Sequence, residues 1–159
     1  MRAWTEWQDP DWPLLRLVAG DSGLRAVEFA GNNGRNLPGE LHSDSDALLL
    51  ETGRQLRAYF EGSLREFDVP LEIAGTEFRT RVWRELLKIP YGDTRSYRDI
   101  ATALGSGAAV RAVGAANGAN PLAIVVPCHR VIGSNGKLVG YGGGLALKHR
   151  LLELERRFR

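Results

Sequence analysis

Cys128 is the only cysteine among 159 residues, and it stands in Leu122–Ile132, LAIVVPCHRVI, where an apolar run meets Pro127, His129 and Arg130. A thiol near positive charge has its thiolate favoured, and the thiolate is the form that attacks carbon or sulfur electrophiles. Cys128 is therefore a candidate nucleophile. A lone cysteine after Ala123-Ile124-Val125-Val126 could instead be a small packed hydrophobe. Its polar company separates the two readings, because a packing cysteine has no need of a histidine and an arginine beside it. Adjacency does not make His129 the base, since a proton relay depends on position in space. Glu155 is a second lead. It lies at the edge of the stripe Leu147, Leu151, Leu154 and Phe158 of a C-terminal helix, where it could be solvated or could reach inward and orient a histidine.

Composition narrows the chemistry. The chain is 43% hydrophobic and 25% charged with four tryptophans, which suits a folded soluble protein with one core or two small ones. One cysteine excludes an intrachain disulfide, and without CxxC or a histidine cluster no metal site is expected. The N-terminus, MRAWTEWQDPDW, has no apolar leader segment, and no run of 18 apolar residues occurs, so a cytoplasmic setting away from membranes is expected. The net charge of +2 conceals an asymmetry: residues 1–75 hold 7 Lys/Arg against 13 Asp/Glu, whereas residues 76–159 hold 14 against 6. A basic second half beside an acidic first half suits contact with a polyanion through one part only, or a lopsided solvated surface.

The elements that must position these residues follow from periodicity and punctuation. Leu14–Val18 and Leu24–Phe29, spaced by Ala19-Gly20-Asp21-Ser22-Gly23, suit a hairpin. Residues 31–39 are rich in Asn and Gly and read as a loop. A helix is predicted over Asp46–Phe60 and a further strand over Glu66–Ile73. Nothing catalytic converges there, so residues 1–75 read as a small α/β scaffold. In residues 76–159, Thr76 caps a helix carrying Phe78, Val82 and Leu86, closed by Pro90. Ser96 and Asp99 form a capping box for a helix reaching Leu104. Gly105-Ser106-Gly107 breaks the chain before an alanine-rich helix over Ala108–Asn117. Two short helices across a tight turn suggest a helix-turn-helix, and Arg111 is the one long cation on the second. Gly140-Tyr141-Gly142-Gly143-Gly144 lacks the GxxxxGK[ST] and GxGxxG contexts of phosphate loops, so it reads as a flexible loop or one whose backbone approaches a ligand closely.

The segments GTEFRTRVWRELLKIPYGDTRSYRDIA, RAVGAANGANP, IVVPCHRVI and GYGGGLALKHRLLELE together resemble the O6-alkylguanine-DNA alkyltransferases, the methylated-DNA-protein-cysteine methyltransferases. The resemblance is strong over about residues 75–156 and weak before them. It implies a ribonuclease H-like α/β domain with a small sheet and helix, then a mainly helical domain of winged helix-turn-helix type. It implies that Cys128 accepts the alkyl group, that His129 deprotonates it through a water, and that Glu155 holds the imidazole from behind. Tyr97 would donate to the guanine ring, and Asn120 would brace the turn before the nucleophile. Arg111 would fill the gap left by the extruded nucleotide, with Ala112, Gly114 and Ala115 on the same DNA-facing helix. Tyr141, Gly142, Gly143 and Val131 would line the base pocket. Many relatives have serine where Gly142 stands, which removes one side-chain hydrogen bond toward the base oxygen. The usual LGxPxAAR is here LGSGAAVR.

The activity so implied is a methylated-DNA-[protein]-cysteine S-methyltransferase that acts once per molecule and needs no cofactor. Its partner would be double-stranded DNA containing O6-alkylguanine, with O4-alkylthymine an open question. The protein would act as a monomer, with cooperativity on DNA undecided. A stacked base must be extruded before its O6 substituent is reachable, which suits a small-residue helix entering a groove. Two other readings stand beside it: a non-catalytic alkylated-base or helix-turn-helix DNA-binding protein, which would not need Cys128, and a cysteine hydrolase, for which no acyl-substrate cleft is signalled.

Overall fold

The computed structural model describes residues 2–29 and 40–159, and the chain divides into two compact units, Met1–Ile73 and Ala74–Arg159. The expected loop over residues 31–39 lies outside the described residues.

In the first unit, strands β1 (Arg2–Asp9), β2 (Trp12–Ala19), β3 (Leu24–Phe29) and β4 (Glu40–His42) form one sheet in the order β3-β2-β1-β4. The β1-β2 and β2-β3 pairs are antiparallel, and β4 joins β1 in parallel through Arg2↔Glu40 to Trp4↔His42. Helix α1 (Ala47–Phe60) starts at Asp46, whose side chain accepts from Leu49 N, and it buries Leu49, Leu56 and Tyr59 in a core that also holds Leu15, Leu17 and Val27. Trp7 and Trp12 stack on Phe60 with ring centroids 5.7 and 4.4 Å away, so the N-terminal tryptophans are packing residues. The strand expected over Glu66–Ile73 does not form. Pro70 has no N–H to give a ladder, and only a single bridge, Leu24↔Leu71, is made. The Gln55 amide fixes this segment instead, donating to Asp68 O at 3.0 Å and accepting from Asp68 N at 2.8 Å.

The second unit is mainly helical. Helix α2 (Glu77–Leu86) is capped by Thr76, and a short strand β5 (Arg95–Ser96) leads into α3 (Tyr97–Ala103) through the Ser96/Asp99 capping box. A 3-10 turn at Gly107–Ala109 precedes α4 (Val110–Gly118), completing the helix-turn-helix pair. Buried Trp83 ties α2 to α4 by donating from Nε1 to Ala116 O at 2.8 Å. Gly75 leaves room for that indole, since a Cβ there would lie 2.6 Å from its ring. A second 3-10 turn at Cys128–Arg130 runs into β6 (Val131–Ile132), which pairs in parallel with β5, and α5 (Leu145–Arg157) ends the fold. No helix among the described residues is long and apolar enough to cross a membrane.

Candidate active site

Residues 122–126, apolar throughout, do not form a strand. Pro121 and Pro127 bracket them and neither can donate to a ladder. Asn120 bends the segment further: its Oδ1 accepts from Leu122 N at 3.0 Å and its Nδ2 donates to Val126 O at 2.9 Å. The result is a packed turn with Ile124 at φ 71°, an uncommon conformation for a β-branched residue and one held by burial on all sides. Cys128 therefore opens the 3-10 turn at the end of an irregular, buried loop, itself only 6% exposed.

Behind it lies a closed charge network. His129 and Glu155 are both fully buried, with His129 Nε2 2.7 Å from Glu155 Oε2. Arg130 donates from Nε to Glu155 Oε1 at 2.8 Å, from Nη2 to Oε2 at 3.1 Å, and from Nη1 to Ile89 O at 2.7 Å. Gly92 N adds a fourth bond to the carboxylate at 3.2 Å. Burial alone would raise the Glu155 carboxyl, but the bonds and charges from His129 and Arg130 outweigh it and hold it well below the usual carboxylate range. Burial lowers the His129 pKa, with Glu155 opposing, so the imidazole is neutral at physiological pH and can accept a proton.

The electrostatics at the thiol differ from the sequence expectation. Arg130 is committed to Glu155 and Ile89, and His129 is neutral, so neither supplies the cation anticipated beside Cys128. Burial pushes the thiol pKa up, opposed by the Asn120 side chain and by the ammonium of Lys148. The thiol is therefore the resting form, and a base has to take its proton as the reaction proceeds.

Lys148 was not singled out from sequence. It is fully buried on the inward face of α5 with Leu147, Leu151, Leu152 and Glu155, a spacing that would have marked it had lysine been admitted as an inward residue. Its Nζ donates to Val139 O at 3.1 Å and Gly140 O at 3.3 Å, and burial lowers its pKa. Tyr97 donates from its hydroxyl to the same Val139 carbonyl at 2.8 Å, and the Lys148 ammonium lies 5.9 Å from its ring centroid. The Tyr97 phenol is raised by burial and by Cys128 and lowered by the Asn117 amide, another group that sequence reading passed over. Tyr141 has a buried hydroxyl with a pKa pushed well up, chiefly by burial. Gly143 is half-buried and Val131 buried, while Gly142 is exposed with open space where a Cβ would sit.

On α4, Arg111, Ala112 and Ala115 are exposed on one face and Gly114 is half-buried, while Val113, Ala116 and Asn117 face inward. The outward face thus carries small side chains and one cation. No group of three or more His, Cys, Asp or Glu side chains among the described residues is placed to hold a metal ion.

Taken together, a helix-turn-helix unit with a buried cysteine backed by a histidine-glutamate pair defines a DNA-directed group-transfer architecture. Two family models match the chain in order: the ribonuclease-like domain of 6-O-methylguanine DNA methyltransferase over residues 7–73 and its DNA-binding domain over residues 77–157. A methylated-DNA--protein-cysteine methyltransferase of Methanosarcina acetivorans is 47% identical over 148 residues, which cover 93% of this chain and 94% of the relative. One from Mycobacterium tuberculosis is 64% identical over 102 residues, which cover 64% of this chain and 62% of that relative, less than two thirds of its length. The crystal structure of Mycobacterium tuberculosis OGT in complex with DNA matches with a TM-score of 0.87 at 46% identity, covering 99% of this chain and 93% of that one. The chain belongs to the 6-O-methylguanine DNA methyltransferase family.

Proposed function

We propose that this protein repairs alkylated double-stranded DNA by moving the alkyl group from O6 of guanine to Sγ of Cys128, once per molecule. The observation that carries the reading is the buried Cys128 in front of the His129–Glu155 pair at 2.7 Å. His129, held by Glu155, takes the thiol proton through a water. The sulfur then attacks the alkyl carbon, the S–C bond forms as the C–O6 bond breaks, and the electron pair remains with the guanine ring. Tyr97 leaves the Val139 carbonyl and donates to the ring, offsetting the charge that develops there. Asn120 keeps Cys128 in register through its bond to Val126 O.

The base reaches the thiol only when turned out of the duplex. Arg111 occupies the gap, and Ala112, Gly114 and Ala115 allow the helix to lie close in the groove. Tyr141, Gly142, Gly143 and Val131 line the base pocket. Phosphate contacts by the basic half hold DNA without sequence preference, so binding weakens with salt. The protein acts in the cytoplasm as a monomer and without a cofactor. The thioether is chemically inert, hence the single turnover.

A duplex carrying O6-[methyl-labelled] guanine tests this reading. The label passes to the protein in a one-to-one limit and survives denaturation, and Cys128→Ser abolishes transfer while leaving DNA binding intact. Label left on DNA supports a non-catalytic binder, and label released to solvent supports a hydrolase. Either result overturns the proposal.

A further inference from the structure

Outside the site described above, a cleft of about 630 Å³ opens between the end of α2 and the outer side of α3. Ile89 and Ile100 are its buried floor, and Lys88, Arg95 and Arg98 stand exposed around it. Two carboxylates line it as well, and each is engaged. Glu85 takes Lys88 Nζ at 3.0 Å, and Asp99 accepts from Ser96 N at 2.8 Å in the capping box. Arg95 gives Nη1 to the Thr94 carbonyl at 2.8 Å and keeps its other donors, while Arg98 makes no hydrogen bond or ion pair among the described residues. The cationic wall continues along α2. Arg81, Arg84 and Lys88 recur at helical spacing and are all exposed, and Arg81 Nη2 donates to Leu104 O, just past the end of α3, at 3.2 Å.

Exposed guanidinium groups on one wall suit phosphate oxygens, which they bind through forks of parallel N–H bonds. The stripe from Arg81 to Lys88 is about 10 Å long at 1.5 Å per residue, the length of about three phosphates of one strand at 3.4 Å each. This cleft does not share a face with the helix set to enter a groove. No residue of α4 lines it. Helix α4 packs behind the α2-α3 pair, where Trp83 Nε1 reaches Ala116 O and Val113 is buried, and it turns Arg111, Ala112 and Ala115 outward. Duplex DNA is stiff over about 150 bp, so a segment lying along α4 would have to bend sharply to reach the cleft as well. We propose that the cleft binds the phosphate backbone of a second DNA segment while α4 holds the first, so that the protein passes between segments without release into solvent. Only the DNA binding of the function proposed above is needed for this, not the alkyl transfer.

A short unmodified duplex, in excess over the full chain at low salt, tests this by native mass spectrometry and sedimentation. The parent is expected to form a complex of one chain with two duplexes. Combining Arg95→Gln with Arg98→Gln should weaken uptake of the second duplex by about tenfold or more and lower the salt slope of that step by about 2, one for each phosphate contact. The same variant should keep its affinity for the first duplex within about twofold and transfer from an O6-methylguanine duplex at the parent rate. Escape of the parent from a labelled duplex should quicken as unlabelled competitor is raised, and in the variant it should not. A parent that transfers the alkyl group yet never takes up a second duplex overturns the proposal and needs no variant, so this holds even if the variant fails to fold. Weaker binding of the first duplex by the variant assigns the cleft to the same segment as α4, and undiminished uptake of the second places that duplex elsewhere. Complexes of two chains make the acidic first unit of another copy the occupant. Each of these results overturns the proposal. A parent that binds no duplex at all is a different result, which removes the function proposed above as well.

Discussion

Replacing Glu155 by glutamine probes the buried network with almost no change of shape. Oε1 accepts from Arg130 Nε and Gly92 N, and Oε2 accepts from His129 Nε2 and Arg130 Nη2. Whichever oxygen becomes an NH2 group, it meets an Arg130 N–H donor. The guanidinium, 7% exposed, also loses its only carboxylate partner among the described residues. Breaking a buried pair by removing one partner costs about 3–5 kcal/mol. At about 2–4 °C per kcal/mol for a chain of this size, the melting temperature should fall by about 6–20 °C. Thermal and urea melts at pH 7, followed by circular dichroism, measure this directly. Adding Arg130→Met to the same chain should recover at least half of the loss, because the unpaired cation then disappears. A melting temperature within about 2 °C of the parent, less than the smallest shift that mechanism allows, would refute the reasoning. The pH dependence carries the same signature. The folded-state pKa of Glu155 is depressed, so its contribution is fully present above about pH 4.3, the unfolded value, and is lost as pH falls through the folded one. The glutamine variant should lack that part of the acid-side slope.

Three further outcomes follow from the site and its supports. Because burial lowers the His129 pKa, the single-turnover transfer rate should stay on its plateau as pH falls to 6.5 and below. A half-maximal rate at or above pH 6.5, the unperturbed histidine value, would contradict a buried neutral base. Trp83→Phe removes the donor to Ala116 O and strands that carbonyl between α2 and α4, so urea melts should show a loss of about 1–3 kcal/mol. Arg111→Ala should weaken duplex binding and slow transfer while leaving the melting temperature within about 2 °C, since surface changes usually stay within about 0.5 kcal/mol.

The parts of this structure visible in the sequence are those written in local chemistry. Asp46, Thr76 and the Ser96/Asp99 box mark helix starts because an N-cap is satisfied within four residues of chain. The β2-β3 hairpin is legible for the same reason. Strand β1 is not, because its burial does not alternate, and of its two partners only β2 follows at once while β4 lies farther along the chain. The apolar run before Cys128 reads as a strand by composition alone; two prolines and the Asn120 amide bend it into a turn. Arg130 looks like a cation for the thiol when only adjacency is known, yet in space it serves Glu155, 25 residues later. Lys148 and Asn117 lie on inward helical faces, at spacings that place them correctly, but polar residue types argue for the outside. Their partners, the carbonyls of Val139, Gly140 and Cys128, carry no signature in sequence.

The central claim is that Cys128 itself becomes the alkyl acceptor. Intact-protein and peptide mass spectrometry after mixing with excess O6-methylguanine duplex tests it most directly. The account predicts a gain of one methylene unit per chain, confined to the peptide and residue Cys128, with an equal amount of guanine restored in the DNA. Guanine restored while the protein mass stays unchanged, or a methyl group found on any other residue, would contradict it.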